Sequence, residues 1–378
     1  MSSSFKSALL KEIYESLPNN YGIENFDEHR FGKMPETRSP MLFDSAKKGI
    51  KKIIGYDTIQ LKRTFDVFVE RVENELKEYE EGLENLYQNV GEESKHLIIK
   101  IIAYRLMGFS KVKLPFNNPA YWKSLELVKT LKDGNTTYDP HFMHFILEKF
   151  DLNTIGYDIK FFFSEVGIAI DFVAEQYAYK NRTKTIVEAE NGDIVLDVGG
   201  CWGDTALYFA HKVGDDGKVY SFEFIPDNIK LHNINTGFNA HLKKNIELVP
   251  HPVSDKSGVS IYFLDNGPGS KIQQQPFEGQ SGSTTTLSID DFVIKYNIEK
   301  IDFIKMDIEG AETFALKGAI NVIKKFRPKL AIAIYHSIED FVNIPQWILS
   351  LNLDYELFIG HYTIHAEETI CFAKPKVK

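Results

Sequence analysis

Three groups of residues in this 378-residue chain have the types and spacing to do chemistry. The first is a glycine loop, Asp197-x-Gly199-x-x-x-Gly203, set between an apolar run at 194–198 and a helical pattern. Glycines at such a turn let a ligand lie against the backbone. A second run, 219–223, ends in Glu223, 26 residues after Asp197. That is the length of one strand–helix–strand unit, and an acid there is placed to grip ribose hydroxyls. The pair points to an adenosine-containing cofactor. The dinucleotide spacing G-x-G-x-x-G is absent. The wider spacing suits a ligand without a pyrophosphate, whose methionine part rests on the loop, and so favours S-adenosylmethionine.

Further positions join this cofactor set. Cys201 and Trp202 occupy loop positions beside the cofactor, and Phe224 follows the ribose acid. Cys201 has no base near it in sequence and reads as a spacer rather than a nucleophile. After a third strand come Ser254 and Asp255. An acid there accepts from an adenine amino group while the serine donates, although alone it is an ordinary turn residue.

The second group is Asp307, Glu309 and Glu312, at the end of the strand-like segment Asp302-Phe303-Ile304-Lys305-Met306. Asp307 would sit near the methionine amino group or the reacting centre. Glu309 and Glu312 would orient an acceptor hydroxyl or share a Mg²⁺ with Asp307. Acids favoured by a helix dipole are the plainer reading of Glu312. The third group is histidine. His336 ends the apolar run 331–335 on the same sheet edge, where it would take a proton from a sugar hydroxyl as a methyl group transfers. His361, beside Tyr362 in a turn, is the competing base.

These groups need a scaffold. Strand patterns at 193–198, 218–223, 246–250, 301–307, 329–335, 354–359 and 368–374 alternate with helical ones at 203–213, 226–236, 287–296, 311–324 and 341–351. The alternation predicts an α/β, Rossmann-like, doubly wound sheet. Only 361–367 joins the last two strands, too short for a parallel crossover. An antiparallel last strand belongs to class I methyltransferases and not to nicotinamide dehydrogenases. Residues 185–378 are the expected cofactor domain. Residues 151–184 are a lead-in, with strands at 159–163 and 168–173 forming a hairpin, and residues 1–150 are a mainly helical domain for acceptor selection or oligomerisation. In that domain the stretch 58–87 carries an apolar stripe from Leu61 to Leu86, fit either for a homodimer or for packing on its own domain. Helices are also expected at 93–107, 121–131 and 140–150. Residues 266–286, rich in Gly, Ser, Gln and Thr, read as a loop over the acceptor site or a plain surface connection.

Composition narrows the partners. A net charge of −9 without a basic block disfavours nonspecific nucleic-acid binding. Two cysteines form neither a disulfide framework nor a zinc pattern, as expected for a cytoplasmic protein. No run approaches the roughly 20 apolar residues of a membrane span, and no secretory signal is visible.

The segments GDIVLDVGGCWGD (192–204), VYSFEFIPDN (219–228), TTLSIDDF (285–292), DFIKMDIEGAE (302–312) and HYTIHAEETICFA (361–373) occur in the order seen in the FkbM family of S-adenosylmethionine-dependent methyltransferases, which this chain resembles over roughly 190–373. The family more often has Ala-Asn at Gly200-Cys201 and Pro at Phe224. EQYAY (175–179) resembles the family's lead-in, which implies that Tyr177 or Tyr179 covers the cofactor. The resemblance implies O-methylation, often of sugar hydroxyls in glycans or secondary metabolites. Two other readings stand beside it. One is a noncatalytic binding or assembly protein that keeps the fold, and the other a nicotinamide-dependent oxidoreductase.

Overall fold

The computed structural model describes residues 3–34, 56–181 and 184–376. Contacts divide the chain into one unit of Met1–Asn118 with Thr363–Glu367, and a second of Pro119–Tyr362 with Glu368–Lys378. The division falls ahead of the boundary expected near residue 150, because the helix Pro119–Lys129 and the strands after it pack within the second unit.

The first unit is helical among its described residues. The stretch 58–87 is two helices, Tyr56–Glu75 and Glu80–Gln88, parted by a turn at 76–79. Val72, Leu76, Leu83 and Leu86 from its stripe are buried. The helix Glu92–Met107 stops at Gly108, whose positive φ of 79° favours glycine. Glu84 accepts from Ser4 Oγ at 2.6 Å and from the Phe5 amide at 2.7 Å, tying the helix Ser4–Ser16 to Glu80–Gln88.

The second unit begins with an antiparallel meander of β1 (Lys132–Tyr138), β2 (Leu147–Asp151) and β3 (Lys160–Phe163), then a short pair, β4 (Tyr179–Asn181) and β5 (Lys184–Val187). The central sheet contains β6 (Ile194–Val198), β7 (Lys218–Phe222), β8 (Ile246–Val249), β12 (Phe303–Met306), β13 (Lys329–Ala333), β14 (Tyr355–His361) and β15 (Thr369–Pro375). Its order is β14-β15-β13-β12-β6-β7-β8. All neighbours are parallel except β15, which runs antiparallel to both β13 and β14. The expected sheet and its reversed last strand are therefore present. Parallel strands are covered on both faces and read as continuous apolar runs, and Val195, Leu196, Val198, Phe303, Ile304 and Met306 are all buried.

Three local expectations are corrected. Residues 140–150 are not a helix: positive φ at His141 and Met143 turns the chain before β2. Residues 168–173 are not a strand, so no hairpin forms with 159–163. A short helix, Glu165–Ile168, runs into a π-helix, Ala169–Val173, whose apolar side chains face the interior. Residues 266–286 are not loop throughout. They carry β10 (Lys271–Gln273) and β11 (Gly282–Thr285), both antiparallel to β9 (Ser260–Leu264). Among the described residues no helix is long and apolar enough to cross a membrane.

Candidate active site

A cleft of about 330 Å³ opens at the carboxyl ends of β6, β7 and β12, within the second unit. Such crevices are where open α/β sheets bind ligands. The loop after β6 supplies Gly199 and Cys201, the end of β7 supplies Glu223 and Phe224, and the end of β12 supplies Asp307 and Glu309. Gly199 has φ of 90°, and a Cβ there would lie 2.0 Å from the Asp307 carbonyl oxygen. Only glycine lets these two strand ends approach so closely. Cys201 adopts a positive φ of 40°. Burial pushes its thiol well up, which leaves it a poor nucleophile and agrees with a spacer role.

The structure separates the expected cofactor residues into two sets. Gly199, Cys201, Glu223, Phe224, Tyr177 and Asp307 line the cleft. Asp197 does not. It is fully buried and accepts from Thr205 Oγ1 at 3.0 Å and Ser221 Oγ at 3.0 Å, with Lys305 Nζ at 3.2 Å. Gly203 is the left-handed N-cap of the helix Asp204–Val213 and packs on His232. Ser254 bonds to Asp255 at 3.2 Å outside the cleft wall, which is formed there by His251, Pro252 and Val253. Tyr179 stacks on Phe358 at 4.8 Å and leaves the cleft to Tyr177.

Glu223 is held by its own turn. Its Oε1 accepts from the Phe224 and Ile225 amides at 2.6 and 2.8 Å, and its Oε2 from Asn228 Nδ2 at 3.0 Å. Burial pushes its carboxyl up to about 7 against the pull of these donors. Asn228 in turn accepts from Trp202 Nε1 at 3.1 Å. Asp307 accepts from Tyr177 Oη at 3.1 Å and from Tyr335 Oη at 3.1 Å. Glu368 accepts from Gln176 Nε2 at 2.5 Å and from Tyr335 Oη at 3.4 Å.

His336 lies behind this wall rather than in it. Its Nε2 is 3.5 Å from Asp307 Oδ1 and 3.7 Å from Glu309 Oε2, and its Nδ1 is 3.4 Å from Glu312 Oε1. Burial opposes the charged ring, but Asp307, Glu312 and Glu309 together hold its pKa above the usual value. Glu309 is largely exposed and lines the cleft, whereas Glu312 is fully buried and accepts from the Ile308 amide at 2.7 Å. His361 is removed from the candidates by position. It is buried in β14 with Nδ1 2.9 Å from Thr369 Oγ1, and it does not line the cleft.

Asp307, Glu312 and His336 bring ligand atoms within 4.8 Å of one another. The arrangement does not suit Mg²⁺, which demands tight octahedral oxygen coordination at about 2.0–2.1 Å. The imidazole stands between the two carboxylates with Nε2 toward Asp307 and Nδ1 toward Glu312, at ion-pair distance and without a hydrogen bond to either.

Asp171, Asp204, Asn228, Tyr335 and Glu368 also line the cleft and were missed in the sequence. Asp204 directly follows the last loop glycine and opens a helix, a visible signal. Asn228, in the first turn of the helix Pro226–Gly237, and Glu368, just before β15, lie within the segments 219–228 and 361–373, whereas Asp171 in the π-helix and Tyr335 after β13 have no motif of their own.

A sheet of this order with one reversed strand and a cleft at its carboxyl edge defines the class I methyltransferase fold. Residues 187–357 match the methyltransferase FkbM domain, so the resemblance read from the sequence holds over that region and the chain carries a methyltransferase domain there. No curated protein matches the chain. Among solved structures it is similar to methyltransferase FkbM from Methylobacillus flagellatus KT, with 17% identity and a TM-score of 0.49 over 80% of this chain; the match spans 60% of that protein's length. It is also similar to fibrillarin from Aeropyrum pernix, solved with natively bound S-adenosyl-L-methionine. There identity is 15% and the TM-score 0.32, over 50% of this chain and 68% of the other.

Proposed function

We propose that this domain transfers the methyl group of S-adenosylmethionine to a hydroxyl of a sugar, nucleotide sugar or glycan. The observation that carries the cofactor is the sign of the charge. Asp171, Asp204, Glu223, Asp307, Glu309 and Glu368 line the cleft, against Lys305 alone among lysines and arginines of the described residues. A sulfonium and an ammonium are attracted there, whereas the pyrophosphate of a nicotinamide cofactor is repelled. The acceptor class rests on the FkbM resemblance.

When bound, the cofactor supplies a methyl group on a good leaving group. The chain's own residues then bind, align and move a proton. Glu223 would take the ribose hydroxyls. Glu309, exposed on the cleft wall, would take the acceptor proton, and His336, 3.7 Å behind it, would share that proton.

Isothermal titration with S-adenosylhomocysteine, S-adenosylmethionine and NADH tests the reading. Micromolar binding of the first two without NADH supports it. NADH binding, or no sulfur ligand bound at millimolar concentration, refutes it.

A further inference from the structure

Three acids of the cleft are already engaged by the protein. Asp307 has Tyr177 and Tyr335, Glu368 has Gln176 and Tyr335, and Glu223 has two amides and Asn228. Lys305, the cleft's lysine, is turned to Asp197 and donates to the Gly199 carbonyl at 2.6 Å.

Asp204 differs. It is only 7% exposed, it lines the cleft, and its Oδ1 has no hydrogen-bond partner. A buried acceptor left unsatisfied costs about 1–3 kcal/mol, so its retention on a cleft wall points to a ligand donor. Asp171, from the π-helix, is equally buried and lines the same cleft. Burial first, and then the Asp204 charge, raise its carboxyl well above the ordinary range, which puts the two acids in one electrostatic environment. A buried acid with an empty acceptor oxygen, beside a second acid on the same cleft wall, suits a compact cation with several N–H donors.

We infer that Asp204, with Asp171 beside it, binds the α-ammonium of the cofactor's methionine part. This rests on the S-adenosylmethionine reading and moves the place near the methionine amino group, expected of Asp307, onto an acid whose acceptor oxygen is free of a protein donor. Glu223 then serves the adenosine end and the Asp171–Asp204 pair the amino-acid end.

The test compares two ligands that differ at that end. S-adenosylhomocysteine carries the ammonium, and 5′-methylthioadenosine lacks the amino-acid part. Asp204→Asn and Asp171→Asn each replace a buried acid by an isosteric amide, and the thermal midpoint of each free variant checks that it folds. The expected result is a Kd for S-adenosylhomocysteine raised about tenfold or more, the scale of one charge-assisted hydrogen bond, with 5′-methylthioadenosine held within about twofold. Unchanged S-adenosylhomocysteine binding in folded variants overturns the inference and leaves the cofactor reading standing. Equal weakening of both ligands overturns it too, since the effect would not lie at the ammonium. A wild-type protein that binds neither ligand overturns both.

Discussion

Lys305 and Asp197 sit directly opposite each other across β12 and β6, and their side chains close a buried ion pair of 3.2 Å. Both are almost wholly shielded, at 2% and 0% exposure. The same ammonium holds the Gly199 carbonyl at 2.6 Å, so the pair fixes the strand tip that begins the cofactor loop. Removing one partner of a buried pair leaves an uncompensated charge, which costs about 3–5 kcal/mol. Lys305→Met should lose about that much in urea unfolding, and adding Asp197→Asn should restore a large part of it. A loss in the single variant no greater than that of a surface lysine would show the pair to be dispensable.

Buried acids at and behind the cleft wall make stability depend on pH in an unusual direction. Burial pushes Glu223 up to about 7, Asp204 to about 6 and Glu312 to about 7. Each folded pKa lies above the unfolded one, so the folded chain holds these protons more tightly. Their contribution is complete below about pH 4 and is lost as pH rises through 6 to 7. Unfolding free energy should therefore fall between pH 5 and pH 8, by on the order of 2 kcal/mol for one such group. Glu223→Gln should flatten the curve, and a curve that rises over this range would contradict these shifts.

Cofactor affinity should run the opposite way. Ionised Glu223 accepts from ribose hydroxyls better than the acid does, so binding of S-adenosylhomocysteine should strengthen as pH passes about 7. Titration at pH 6 and pH 8 measures this. In Glu223→Gln the affinity should drop about tenfold at pH 8 and lose most of its pH dependence.

Glu309 and His336 should behave as one proton-handling unit. His336→Ala and Glu309→Gln are each expected to lower turnover about 10²-fold with S-adenosylhomocysteine affinity within about twofold. The double variant should be hardly worse than either single one, because groups acting together are non-additive. His361→Ala should turn over normally. Since Asp307, Glu312, Glu309 and Glu368 hold His336 above its ordinary pKa, the alkaline rise in turnover should lie above pH 6.5. Independent, multiplying losses would separate the two residues.

Chelation should leave turnover unchanged. His336 fills the space between Asp307 and Glu312, so methyl transfer in EDTA should match that in added Mg²⁺. A chelator-sensitive rate restored by Mg²⁺ would assign those acids to an ion instead.

Asn235 should carry a large structural effect for a polar residue. Its amide accepts from the Phe162 nitrogen at 2.8 Å and donates to the Phe162 and Trp202 carbonyls at 3.1 and 2.9 Å. It joins β3 to the cofactor loop, and it is fully buried. Asn235→Ala strands three backbone groups, each at about 1–3 kcal/mol. A loss of about 3 kcal/mol in unfolding, with weaker S-adenosylhomocysteine binding, is expected.

The legible part of the fold was what local chemistry encodes. Residues 194–198 and 303–306 show apolar runs, each broken once by a charge, Asp197 and Lys305, that the other strand neutralises, and the short 361–367 link forces β15 to run backwards. Short apolar stretches are ambiguous by period alone, which is why 168–173 read as strand and folded as π-helix. The turn at His141 and Met143 rests on positive φ that no glycine announces. Weakly apolar β10 and β11 take their identity from pairing with β9. In the site, an acid at a strand end was visible as Asp197, but its lysine lies on another strand. What neutralises an acid is a long-range property, so the sequence pattern could not separate Asp197, already satisfied, from Asp204, still seeking a donor.

The placement of β15 orders the birth of this protein. A ribosome delivers β13 and β14 before β15, yet the finished sheet holds β15 between them. Until 369–375 emerges, β13 keeps one edge unpaired, and β14, whose sheet neighbour is β15 alone, has no strand to pair with. Tyr335 waits for the same moment, since its Glu368 partner arrives on the doorstep of that strand. The cofactor cleft is thus among the last parts to be completed, and a nascent chain halted before this strand would offer open edges to its neighbours instead of a binding site.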